Sequence, residues 1–202
     1  MSRMKISLSI AIAAIIVVVG AIVLFPTTEA TAKGPKLVGQ MQNFQLADRL
    51  ITRPDISWVD RNNRPIELAD FEGKVVLFNY WASWCGPCQR ELPGIDRVQV
   101  KLGGDNFEVV ALNIDREGKP IALKFARRLR LKNLKLYLDP KSVTARSLGL
   151  RAMPTTYMFD RKGNLLGRLE GGAEWDTPEA LALIQYFIDR PEYADGLTKA
   201  SG

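Results

Sequence analysis

This chain of 202 residues has only two thiols, Cys85 and Cys88, three positions apart in Trp84-Cys85-Gly86-Pro87-Cys88. A thiolate is the nucleophile of disulfide exchange, and a second thiol one helical turn away can resolve the mixed disulfide that forms. Composition narrows the other uses of such a pair. With no histidine and no further cysteine, a four-ligand Cys/His zinc site cannot be built within one chain. Ser-His-Asp and Cys-His catalysis are excluded on the same ground. A purely structural Cys85–Cys88 disulfide stays open as the plain alternative, although it would close a loop too short to stabilise much.

The dithiol sits where an apolar strand meets a helix. Lys74 to Trp81 is a near-continuous β-prone run, suited to a central strand covered on both faces. Residues 86–102 then show helical spacing, with Leu92, Ile95, Val98 and Leu102 on one side. A helix N-terminus offers unpaired N–H groups and the positive end of the helix dipole, and both stabilise a thiolate. Cys85 comes first and is expected to be the more exposed sulfur, which attacks; Cys88 comes one turn later and resolves. Pro87 fits the first helical turn without losing a needed hydrogen bond.

The remaining signals alternate strand and helix. Ile56–Val59 and Pro65–Leu68 flank a hairpin-like turn, and Phe107–Asn113 reads as a buried strand. A basic helix is expected over 119–131, a short strand over Leu134–Leu138 and a short helix over 141–149. Thr155–Phe159 and Asn164–Leu169 flank Asp160-Arg161-Lys162-Gly163, a second hairpin turn. Asp176 or Thr177 is expected to cap a last helix that runs to about Ile188. The order βαβα then ββα predicts a central sheet with helices on both faces.

The front of the chain differs in character. Arg3 and Lys5 lie in a short positive segment, residues 1–5, expected to be cytoplasmic. Ile6 to Phe25 carries no charge, and at ~1.5 Å rise per residue that run reaches ~30 Å, the depth of a bilayer core. We read 6–25 as a transmembrane anchor that places the rest of the chain outside the cytoplasm. A cleaved signal ending near Ala30-Thr31-Ala32 and a buried core helix are the alternatives. Residues 26–42 read as an extended tether, 43–190 as the folded domain and 191–202 as a tail. Apolar residues at 47% and charged residues at 25% fit a globular chain. A net charge of +6 is too mild to argue for nucleic acid.

Lys74 to Pro93, KVVLFNYWASWCGPCQRELP, resembles the active-site strand and helix of the thioredoxin superfamily, and most closely the membrane-anchored TlpA/ResA-like thiol–disulfide reductases, the TlpA branch above all. Pro93 falls where that family kinks its active-site helix, and Met153-Pro154-Thr155 resembles its cis-proline loop. About two dozen residues between Asp115 and Asp139, and the hairpin at 56–68, resemble additions found in that branch. The resemblance implies a thioredoxin-like α/β fold: a central mixed sheet with flanking helices, an N-terminal β-hairpin and an inserted helix-strand, preceded by one transmembrane helix.

The resemblance also implies roles. Cys85 is the nucleophile and Cys88 the resolving thiol of a redox disulfide, with no metal and no other cofactor. Trp84, Gly86, Pro87, Met153 and a cis Pro154 would face the substrate, and Met153 would present its backbone to an extended segment. An ordinary edge-strand proline is the alternative for Pro154. Thioredoxin keeps an acid six residues before its first cysteine, whereas this chain has Asn79, which cannot accept a proton. Glu91, three residues after Cys88, matches a glutamate of ResA-like proteins and is expected either to accept the Cys88 proton or to be a solvated helix carboxylate. Trp81 is expected in the core.

The implied setting is a bacterial inner membrane crossed once, with a monomeric thioredoxin-like domain in the periplasm. The implied electron donor is a membrane dithiol carrier of the DsbD/CcdA kind. Substrates would be copper-delivery proteins or the copper-site subunit of cytochrome oxidase, or else the haem-binding cysteines of apocytochrome c. Cytochrome c reductases usually have Pro-Glu after the cis-proline, and Thr155-Thr156 departs from that. A copper-binding module would want a histidine, a disulfide-forming oxidase a more activating dipeptide, and a peroxidase a Thr-x-x-Cys pattern; all three are missing. Lys124, Arg127, Arg128, Arg130, Lys132 and Lys135 form a basic cluster on the insert, read as a solvated face, a docking surface for an acidic partner, or a phospholipid contact.

Overall fold

A near-continuous apolar strand must be covered on both sides, and β4 (Val75–Trp81) and its parallel neighbour β5 (Phe107–Asn113) are buried at all seven positions each, the polar Asn79, Glu108 and Asn113 included. Side chains alternate across a strand, so β4 serves two cores. Val75, Leu77 and Trp81 join α1 (Gly86–Leu102) and α4 (Pro178–Ile188) through Leu92, Ile95, Val98, Leu183, Ile184 and Phe187. Val76, Phe78 and Tyr80 point the other way, into an aromatic cluster with Trp58, Phe71, Tyr157 and Phe159. There the Trp58 and Phe78 rings meet edge to face at 5.1 Å.

The structure, a computed structural model, describes residues 34–197. The segment 1–5, the anchor 6–25 and the first part of the tether lie outside the described residues, as do the last five residues of the tail. No described helix is long and apolar enough to cross a membrane. The remaining elements are β1 (Gln45–Leu46), β2 (Ser57–Asp60), β3 (Pro65–Glu67), α2 (Lys119–Arg128), β6 (Tyr137–Leu138), α3 (Val143–Ser147), β7 (Thr155–Phe159) and β8 (Leu165–Glu170). They form one mixed sheet in the order β1-β8-β7-β4-β5-β6-β2-β3. The expected thioredoxin-like sheet with helices on both faces is therefore present. The hairpin β2–β3 joins it through β6, by Val59 opposite Leu138 and Asp60 opposite Tyr137.

Several boundaries differ from the sequence reading. The tether ends early: Gly39–Asn43 is a short 3-10 helix, and Met41 is 0% exposed in the core shared with α4. The tail also begins later than residue 191, because Tyr193–Gly196 forms another 3-10 turn and Tyr193 packs its ring against Phe187 at 5.1 Å. Helix α2 stops at Arg128 and not at 131, since Arg130 takes a left-handed φ of 56° that a helix cannot continue through. Strand β6 is two residues long where five were expected. Helix α3 starts late because Ser142 has a φ of 51°. Of the two cap candidates for α4, Thr177 accepts the Ala180 N–H at 3.4 Å, while Asp176 pairs with Arg97 at 2.6 Å.

The insert is pinned to α1 by one buried carboxylate. Asp96 accepts from the backbone N–H groups of Lys132, Asn133 and Leu134 at 2.9–3.1 Å and from Asn133 Nδ2 at 2.7 Å. Asp96→Ala leaves these donors without their acceptor and is expected to cost about 1–3 kcal/mol. Thermal unfolding should show a midpoint several degrees lower, with Asp96→Asn losing less because one acceptor oxygen stays.

Candidate active site

Strand β4 delivers the chain to the N-terminus of α1, and Cys85 stands at the cap position usually filled by Ser, Asp or Asn. Its Sγ accepts from the Cys88 N–H at 3.2 Å, and Pro87 occupies the first turn. The two cysteines form a disulfide with S–S 2.01 Å and Cα–Cα 5.3 Å. Cys85 is 4% exposed and Cys88 is 0%, so the order of exposure matches the order expected, though both are nearly covered. Trp84 is 66% exposed beside them, and Trp81 lies in the core.

The loop before Cys85 is held from below by side chains to which the sequence assigns no role at the site. Asp115 accepts from the Ser83 N–H and the Ser83 hydroxyl, both at 2.8 Å. Asn113 Nδ2 donates to the same carboxylate at 2.7 Å, and Gln89 Nε2 donates to the Ser83 carbonyl at 2.6 Å. Asn113 ends β5 opposite Trp81, the end of β4, and Asp115 follows two residues later, so the sheet register brings both under the loop.

Pro154 is cis and buried, and its carbonyl accepts from the Gly171 N–H at 2.8 Å. Half-buried Met153 precedes it. Gly172 lies where Pro87, Glu91 and Pro154 converge: a β-carbon there would stand 3.5 Å from Pro87 Cβ, 3.7 Å from Glu91 Oε2 and 3.8 Å from Pro154 Cγ. The dithiol helix, the cis-proline loop and the segment after β8 thus meet at one place.

Glu91 is not a solvated helix carboxylate, since it is only 5% exposed. Its Oε1 accepts from Asn79 Nδ2 at 2.7 Å and its Oε2 from the Ala173 N–H at 3.1 Å. Asn79 Nδ2 also donates to Thr156 Oγ1 at 2.9 Å. Burial pushes the Glu91 carboxyl up to about 7, against the opposing pull of Asn79, the Ala173 N–H and the Trp175 indole. A carboxyl that titrates near neutrality, one helical turn beyond Cys88, is suited to take up and release a proton. Thr156, Ala173 and Trp175 come from distant stretches of chain; Thr156 adjoins the cis-proline loop, and Gly172-Ala173-Glu174-Trp175 shares the TlpA-like resemblance, but neither signal places them beside Glu91.

Glu91 reaches solvent through an opening of about 420 Å³ that Pro87, Arg90, Gly172 and Ala173 also line. Gly172→Ala fits this space at ordinary contact distances and is expected to leave the fold intact. A methyl group there would stand 3.7 Å from Glu91 Oε2, narrow its access to solvent and so raise the carboxyl further. The pH midpoint of the proton-dependent step should move upward in stopped-flow measurements. An unmoved midpoint would mean that Glu91 does not exchange protons through this opening.

Comparison with known proteins agrees with this geometry. Residues 40–167 match the AhpC/TSA family. The chain is similar to the thiol–disulfide oxidoreductase ResA of Bacillus thuringiensis subsp. konkukian, 30% identical over 119 residues, which covers 58% of this chain and 67% of that one. It is also similar to ResA of Geobacillus thermodenitrificans, 32% identical over 114 residues, covering 56% of this chain and 64% of the other. A solved structure from Chlorobium tepidum, described as a thiol:disulfide interchange protein DsbE, superimposes with a TM-score of 0.63 at 31% identity, covering 70% of this chain and 98% of that one.

Proposed function

We propose, for a chain that belongs to the AhpC/TSA family of thioredoxin-like proteins, that Cys85 and Cys88 reduce disulfides of partner proteins on the outer side of a bacterial inner membrane. The chain is a thiol–disulfide oxidoreductase. The observation that carries the reductase reading is the stacking of three groups along one helix: an outer sulfur at the cap, an inner sulfur, and the buried carboxyl of Glu91. Gly86-Pro87 between the cysteines matches reducing thioredoxin, whose potential is about −270 mV. Ala82 stands where a Thr-x-x-Cys peroxidase pattern would need threonine.

In the reduced protein the Cys85 thiolate attacks one sulfur of the substrate disulfide. The S–S bond breaks, and the departing substrate thiolate takes a proton from water. Cys88 gives its proton to Glu91 and attacks the Cys85 sulfur of the mixed disulfide. The second substrate thiolate leaves, and the Cys85–Cys88 disulfide closes. The substrate has gained two electrons and the dithiol has lost two. A membrane dithiol donor of the DsbD/CcdA kind returns them, since an oxidising compartment holds no reducing thiol pool.

The substrate class we favour is the cysteine pair of a copper-delivery protein or of the oxidase copper site. Its support is Thr156, which departs from the Pro-Glu of cytochrome c reductases and whose hydroxyl is tied to Asn79 beside Glu91. The test is a rate comparison between two purified oxidised substrates, a copper-site domain and a haem-attachment peptide of apocytochrome c. The copper-site disulfide is expected to be reduced faster; a faster haem-attachment peptide would overturn this choice.

A further inference from the structure

The two segments that extend the sheet beyond β5 meet each other and leave a groove between them. The turn of hairpin β2–β3 forms one wall, and α2 with the residues leading into β6 forms the other. The groove encloses about 650 Å³, within the range of ~300–1,000 Å³ common for binding sites. Ile66, Leu123, Ala126, Leu131 and Leu134 line it with apolar surface, and each is half-buried.

The rim is cationic. Two of its charges are already matched: Arg64 pairs with Asp60 at 2.6 Å and Lys135 with Glu108 at 2.8 Å. Asp60 is further occupied by the backbone N–H groups of Asn62 and Arg64. Arg61, Arg127 and Lys132 are exposed and have no carboxylate partner among the described residues. Three uncompensated cations around an apolar trough call for anions flanking apolar side chains.

We infer that this groove docks an extended acidic segment of a partner protein, with carboxylates on Arg61, Arg127 and Lys132 and apolar side chains on the trough between them. A membrane surface fits less well, because the apolar residues here are recessed. Large apolar side chains that protrude, such as Val38, Trp84 and Val143, lie outside the groove. An interfacial membrane contact needs protruding apolar groups. Residues 131–136 precede β6, which runs parallel to β5 and β4, so the groove lies toward the N-terminal side of these strands, whereas Cys85 follows the C-terminal end of β4. A partner held there leaves the dithiol free.

The test uses the full chain in neutral detergent micelles, titrated with a fluorescein-labelled peptide of alternating Glu and Leu and monitored by anisotropy. The peptide should bind, with an affinity that falls at high salt. Arg61→Glu with Arg127→Glu should weaken it by about tenfold or more, since each 1.4 kcal/mol of lost interaction is tenfold. Ala126→Trp fills the trough without changing charge and should weaken binding as much. Both variants should reduce a small disulfide at the wild-type rate. The inference is overturned if the acidic peptide does not bind, if a Lys-Leu peptide binds equally, or if neither variant weakens binding. It is also overturned if the charge reversal instead abolishes attraction to micelles doped with phosphatidylglycerol while the peptide stays unbound.

Discussion

Cys85→Ser is expected to abolish disulfide reduction, while the protein stays folded. Serine is as good a cap as the helix can have, so the N-terminus of α1 keeps its side-chain acceptor for the Cys88 N–H. The nucleophile is lost all the same, because a hydroxyl is not ionised at neutral pH and Cys88 is wholly buried beneath it. Insulin reduction with dithiothreitol as the donor reads turnover, and circular dichroism reads the fold. A Cys85→Ser protein that retained turnover would assign the attack to Cys88 and reverse the order of the two thiols.

Glu91→Gln should slow resolution of the mixed disulfide by about 10²-fold, the low end of general-base losses, because the opening beside Glu91 lets water substitute. The first attack by Cys85 should stay near the wild-type rate. The base is the ionised carboxylate, so wild-type resolution should rise with pH through about 7 and then level, and this step should vanish in the variant. The stability arithmetic has the opposite sign. Burial raises the folded-state carboxyl from 4.5 to about 7, so the folded protein holds a proton that the unfolded chain has released. The stability that this proton confers is complete below 4.5 and is lost as pH rises through 7. Wild type should therefore lose up to roughly 3 kcal/mol relative to Glu91→Gln between about pH 5 and pH 8. Asn79→Asp in the Glu91→Gln background puts a carboxylate at the other end of the 2.7 Å hydrogen bond, where the new amide can donate to it. Part of the resolution rate should return. Wild-type resolution in Glu91→Gln across this pH range would remove Glu91 from the mechanism.

The elements that carry the dithiol were legible because they obey strict local rules. The apolar run of β4, the helical spacing of α1 and the buried runs of β5 and β7 all fall at or within a residue of where the sequence put them. The edges were not legible. Strand β6 has only two residues, and its position is set by pairing with β2 and β5, which no local pattern encodes. Met41 lies in a Gly- and Lys-containing stretch without periodicity that reads as tether, yet it packs into the core shared with α4. Within the site, Cys85, Cys88 and Glu91 are placed by spacing along one helix. Asp115, Thr156 and Ala173 reach it only through strand register and the path after β8, so nothing short of the fold could place them.

The most direct test of the dithiol mechanism is the covalent state of Cys88→Ser after reaction with oxidised insulin. Attack proceeds in this variant but the second thiol is absent, so a stable adduct is expected. Peptide mass spectrometry should find an insulin cysteine disulfide-bonded to Cys85, released by dithiothreitol. An unmodified Cys85, with no adduct accumulating, would show that Cys85 is not the attacking thiol.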